Sequence, residues 1–148
     1  STAPSGSRVQ AVSGAIRGAS VMEWRSGVPG SLTELPTALT SLTTQTITVP
    51  SAGSLRGELS ANITSDYGYT GEDLHPGSVM FYMKLDGVEV WKQEVGFDTR
   101  WAQALTTFRL DNVTAGTHTV QLLREAWWNY EPYAFPRGET ALKLFWEA

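Results

Sequence analysis

Asp86-Gly87 is flanked on both sides by alternating apolar and polar residues, and no other feature constrains the chain as much. An Asp-Gly pair supplies the two left-handed residues that a two-residue turn between antiparallel strands requires. Before the turn, Val79, Phe81, Met83 and Leu85 share one face, opposite Met80, Tyr82 and Lys84; Val88 to Val95 continues after it. A period of two fixes the side of the sheet on which each residue sits, because a one-residue slip turns every apolar residue towards water. The chain is therefore expected to build an antiparallel sheet with one dry face.

The same pattern recurs along the sequence. Ser41 to Val49 ends with Ile47 and Val49 on one face, and Pro50, Ala52 and Gly53 close it as a turn. Ser54 to Ile63 follows, with Leu55, Leu59, Ala61 and Ile63 opposite Arg56, Glu58, Ser60 and Asn62. Further strands are expected at Ser20 to Arg25, Leu105 to Val113, Thr117 to Arg124 and Thr140 to Glu147. Short strands spaced by Gly and Pro turns predict an all-β fold, a jelly-roll-like two-sheet antiparallel β-sandwich over residues 20–148. Residues 1–19 read as an N-terminal tether, in which a short helix at Val9 to Ile16 is weakened by Gly14 and Gly18. The 148 residues suffice for one domain with a proper core.

Composition narrows the function. There is no cysteine, which excludes disulfides and thiolate metal sites. A net charge of −4 argues against nucleic acid or an anionic membrane as partner and leaves polar uncharged sugars open. No apolar run approaches the roughly 20 residues that span a bilayer, so membrane insertion is not expected. The opening STAPSGSR lacks the apolar core of a signal peptide. Few charges with many Ser, Thr and Gly suit an extracellular or virion domain better than a helical enzyme.

Three stretches resemble a class of small jelly-roll domains in phage tail fibre and spike proteins: TTQTITVPSAGSLRGELSANI, MKLDGVEVWKQEV, and NVTAGTHTVQLLRE with a final apolar strand. The shared features are Val49, Pro50 and Gly53 at the opening of the sandwich, and Ala115, Gly116, Thr117, His118, Thr119 and Val120 entering a late strand. The resemblance covers roughly residues 39–148. It implies a non-enzymatic virion domain, often a homotrimer, that binds a host-surface glycan or caps a fibre. The class carries no catalytic motif, so site residues are argued from this sequence alone.

Three segments could meet a ligand. Glu125 to Gly138 holds Trp127, Trp128, Tyr130, Tyr133 and Phe135, with Asn129 and Glu131 between them. Sugar rings offer C–H faces to Trp and Tyr while their hydroxyls need polar side chains beside the rings. The opposing reading is that these rings plug one end of the sandwich or fill a subunit interface. Thr64 to Gly77 is a second segment, with Tyr67 and Tyr69 near Asp66, Glu72, Asp73 and His75. Its carboxylates match no calcium-loop spacing, so no metal is expected. Trp101, in the connection Gly96 to Gln103, is the third candidate, whereas Trp91 and Trp146 lie in strand patterns and read as structural. No nucleophile elbow, phosphate loop or paired-histidine motif occurs, and neither an enzyme activity nor a cofactor is expected. The function expected is recognition of a cell-surface glycan by a fibre or spike tip. The rivals are a virion assembly and trimerisation module and a carbohydrate-binding module of a secreted enzyme.

Overall fold

The computed structural model describes residues 11–12, 15–16, 19–26, 33–34, 38–64, 77–97, 101–128 and 137–148. Seven long strands and a shorter first one form the body: β3 (Ala19–Arg25), β5 (Thr40–Val49), β6 (Gly53–Thr64), β7 (Gly77–Leu85), β8 (Val88–Phe97), β9 (Trp101–Val113), β10 (Gly116–Trp128) and β11 (Arg137–Glu147). Three two-residue strands complete the set: β1 (Ala11–Val12) and β2 (Ala15–Ile16), which pair with each other, and β4 (Thr33–Glu34), which pairs with β11. One sheet runs β5-β10-β7-β8 and the other β3-β11-β6-β9, with every neighbour antiparallel. Except for the β7–β8 hairpin, each step from β5 onwards crosses to the other sheet. That order is a jelly roll, as the alternation predicted.

The Asp86-Gly87 turn is two residues long, joining the pair Leu85↔Val88, and both its residues have positive φ, 52° and 84°. Such a turn matches the twist of the strands it joins. The dry faces are those read from the sequence: Ile47, Val49, Leu55, Leu59, Ala61, Val79, Phe81 and Met83 are buried, and Leu142, Leu144 and Trp146 face them from β11. Between the two edge strands β8 and β9, Trp91 stacks on Phe108 with ring centroids 4.2 Å apart at 19°. Three local expectations differ. The segment Val9 to Ile16 carries two paired extended rungs, Ala11↔Ile16 and Val12↔Ala15, and not a helix. Trp127 and Trp128 belong to β10, not to the following loop, because β7 continues to Gly77 and holds them in register. Trp101 likewise opens β9, opposite Thr64.

At one end the connections are short, and a histidine ties two of them together. His118 is buried; its Nδ1 lies 2.6 Å from Asp86 Oδ2 and its Nε2 lies 2.7 Å from the Thr114 carbonyl. The other Asp86 oxygen accepts the Thr119 N–H at 2.9 Å. The Asp86 hydrogen bond raises the His118 pKa above its ordinary 6.5, and the His118 and Thr119 donors hold Asp86 below 3.8. Only the imidazolium can donate from both nitrogens at once. The histidine contribution is complete below pH 6.5 and disappears as pH rises through the folded-state value, while the aspartate contribution is lost on acidification below 3.8. Urea midpoints are therefore expected to be highest between those two values and to fall as pH rises above 6.5 through the raised folded-state value. His118→Gln should flatten the alkaline side of that curve; an unchanged slope in the variant would remove His118 as its cause.

Candidate functional site

The long connections all arise at the other end of the sandwich. In one sheet Arg137 pairs with both Thr64 and Glu34, Thr64 pairs with Trp101, and Arg25 pairs with Ala141. In the other, Gly77 pairs with Trp128 and with Phe97, and Thr40 pairs with Arg124. Phe97 ends β8 in one sheet and Trp101 opens β9 in the other, four positions later, so the two sets of strand ends lie together. Segments 65–76, 98–100 and 129–136 thus spring from one end, along with the chain between β3 and β5. Strands that alternate between sheets bring strand ends remote in sequence to one end of the sandwich, among them those that flank the candidate segments.

Of those candidates, Tyr67, Tyr69, Asp73, Asn129, Tyr130, Glu131 and Tyr133 lie outside the described residues. Trp127, Trp128 and Trp101 are placed by their backbones: the first two at the end of β10 beside Ser78 and Gly77, the third at the start of β9 in the opposite sheet. Glu125 faces outward and accepts a hydrogen bond from the Tyr82 hydroxyl. That bond and partial burial push the Tyr82 phenol up to about 12.

Beside the loop end, a groove of about 400 Å³ crosses the outer face of the β3-β11-β6-β9 sheet. Its first rung is Glu139–Asn62–Gln103, aligned across β11, β6 and β9. The next is Arg25–Ala141–Ser60–Leu105. Leu105 is 74% exposed there, and Asn62 Oδ1 is buried with no hydrogen-bond partner. A carboxylate, a guanidinium, two amides and a hydroxyl around an aliphatic floor can bind hydroxyls while packing C–H surface. Farther along the same outer face the charges are matched to each other. Arg56 reaches Glu58 at 2.6 Å and Glu147 at 3.7 Å, and Arg109 reaches Asp111 at 2.9 Å and Glu147 at 3.5 Å. Arg56 also lies 4.4 Å over the Phe145 ring. The polar side of β6 was visible as alternation; its alignment with Glu139 and Gln103 depends on pairing between strands far apart in sequence.

Among the described residues no group of three or more His, Cys, Asp or Glu is placed to hold a metal, and no helix is long and apolar enough to cross a membrane. No protein-family profile and no curated protein matches the chain. Solved structures do resemble it. A chain of tripeptidyl peptidase 2 is 16% identical with a TM-score of 0.46, covering 92% of this chain and 10% of that one. A chain of infectious bursal disease virus, Gt strain, is 11% identical with a TM-score of 0.46, covering 88% and 32%. A family 35 carbohydrate binding module from an environmental isolate is 11% identical with a TM-score of 0.31, covering 83% and 81%. This chain spans a tenth of the first and about a third of the second. Likeness at this level carries no functional argument. The class of the protein, a jelly-roll domain, rests on its own strand order.

Proposed function

We propose that this domain binds a cell-surface carbohydrate through its loop end, as the non-enzymatic receptor-binding tip of a phage fibre or spike exposed on the virion. The observation that supports the reading is that the strand ends from which the candidate segments depart, with Trp101, Trp127 and Trp128 at the last rungs, gather at one end of the sandwich beside a polar groove. Rings among Trp127, Trp128, Tyr130 and Tyr133 stack on sugar faces, and Asn129, Glu131 and Asp73 fix the hydroxyls. Each site is weak, and several copies in a homo-oligomer, a trimer by preference, multiply binding by roughly 10²–10⁴. A glycan array probed with the folded oligomer is expected to give discrete hits. Trp127→Ala and Trp128→Ala tested separately should show at least one loss of about tenfold, the value of one good ring contact. An array without hits sinks the proposal.

The second reading, an assembly module, is favoured by one observation: Leu105, lining the groove on the edge strand β9, is strongly exposed. Leu105→Glu distinguishes the two. A variant that becomes monomeric while keeping glycan binding marks the groove as a subunit contact. One that stays oligomeric and loses binding marks it as part of the sugar site.

A further inference from the structure

The outer face of the β3-β11-β6-β9 sheet divides into two halves that treat their polar groups differently. Away from the loop end, Arg56, Arg109, Glu58, Asp111 and Glu147 are paired with one another. In the half that holds the groove, the side chains of Arg25, Ser60, Asn62 and Gln103 make no hydrogen bond or ion pair with any described residue. Polar groups held on a sheet without protein partners keep their hydrogen bonds for solvent or for a ligand.

The groove arises from side-chain length. Its central rung, Arg25–Ala141–Ser60–Leu105, carries short side chains on the two inner strands and long ones on the two edge strands. On the loop side it is bordered by Glu139–Asn62–Gln103, and on the other side by the long charged side chains of Glu23, Lys143 and Glu58. A trough three strand spacings long, about 14 Å, therefore crosses the sheet at right angles to its strands. Its lining holds one cation and one anion, Arg25 and Glu139, and no aromatic ring.

We propose that this groove is a binding subsite for an internal stretch of a linear, uncharged polysaccharide lying across the four strands. The inference rests on the carbohydrate reading above and names its substrate class, a polymer and not a terminal sugar; it uses no residue of the connecting segments. The amides of Asn62 and Gln103 and the Ser60 hydroxyl can each donate and accept, as sugar hydroxyls do. Leu105 and Ala141 offer aliphatic surface to the C–H faces of the rings. The single cation and anion offset each other, so the lining gives an acidic polymer no advantage. Without an aromatic platform no one ring is gripped firmly, and affinity accumulates over successive units.

The test titrates the folded protein with linear cello-, xylo-, malto- and laminari-oligosaccharides, and with oligogalacturonides as the acidic comparison. In at least one neutral series the hexasaccharide should bind about tenfold or more tightly than the disaccharide. Ser60→Trp, at an exposed position, fills the floor of the trough and should erase that gain while the melting temperature holds. Should Ser60→Trp fail to fold, Gln103→Ala, exposed on the edge strand β9, replaces it and should weaken hexasaccharide binding by roughly three- to tenfold. Array hits without any gain with chain length overturn the groove and leave terminal-sugar recognition at the loop end standing. A gain that survives Ser60→Trp seats the chain elsewhere and overturns the groove as well. Tighter binding of the oligogalacturonides overturns the uncharged class. A Ser60→Trp variant that turns monomeric from an oligomeric wild type marks the groove as a subunit contact and overturns the proposal. Absence of binding to any glycan overturns both this inference and the carbohydrate reading.

Discussion

Replacing Trp146 with alanine is expected to lower the unfolding free energy by about 3–5 kcal/mol, the usual cost of deleting a buried large aromatic. Trp146 is fully buried on the inner face of β11, and its indole N–H donates to the Ser51 carbonyl at 3.0 Å. Ser51 lies in the short crossing from β5 in one sheet to β6 in the other. The residue thus fills the core and fastens a sheet-to-sheet crossing, and truncation removes both contributions. Against a total of about 5–15 kcal/mol for an ordinary domain, the loss leaves little in reserve. Trp146→Phe separates the two parts: it keeps much of the packing, lacks the donor, and should cost nearer 1 kcal/mol for the hydrogen bond. Urea midpoints at constant m-value measure both variants. If alanine costs no more than phenylalanine, packing is not what Trp146 supplies.

Gly57→Ala is the second large effect expected, although it adds a single methyl group. Gly57 sits directly opposite Phe108 on β9, and a Cβ built there would lie 2.1 Å from the tip of that ring. Phe108 cannot simply swing aside, because Trp91 is stacked on its other side and closes the gap between the edge strands β8 and β9. Overpacking of this kind costs about 1–3 kcal/mol. The double substitution Gly57→Ala with Phe108→Leu should be less destabilised than the sum of the two singles, since the second change makes room for the first. Strict additivity would mean that the ring moves freely and that the stack does not hold the edge.

Both effects show what local pattern reveals and what it conceals. Alternation through Val79, Phe81, Met83 and Leu85, with a turn sequence after them, specified a hairpin and its dry face from neighbouring residues alone. The seat of Phe108 over a glycine fifty-one positions earlier depends on β6–β9 pairing, and alternation within either strand carries no trace of it. The groove is hidden for the same reason: Asn62, Gln103 and Glu139 form one row only after three strands are in register. The burial of Arg124 was closer to view. Val120, Leu122, Arg124 and Ala126 alternate on one side of β10, but the expected strand stopped at Arg124, and a terminal arginine reads as solvated. The expected strand ended at Arg124, four residues short, because β7 carries pairing on to Trp128.

The two ends of β11 bear on how the domain carries mechanical load. At the end remote from the loops, Trp146 pairs with Ala19, so β3 and β11 have their outer ends side by side. A pull separating those ends would unzip the pair one hydrogen bond at a time, the weak direction for a ladder. A pull between the loop end and Glu147 acts lengthwise instead. It is shared by the whole β11–β6 ladder, from Arg137↔Thr64 to Glu147↔Ser54. A domain pulled by its loops and held at the opposite end would meet force in shear, where the eleven rungs of that ladder resist together.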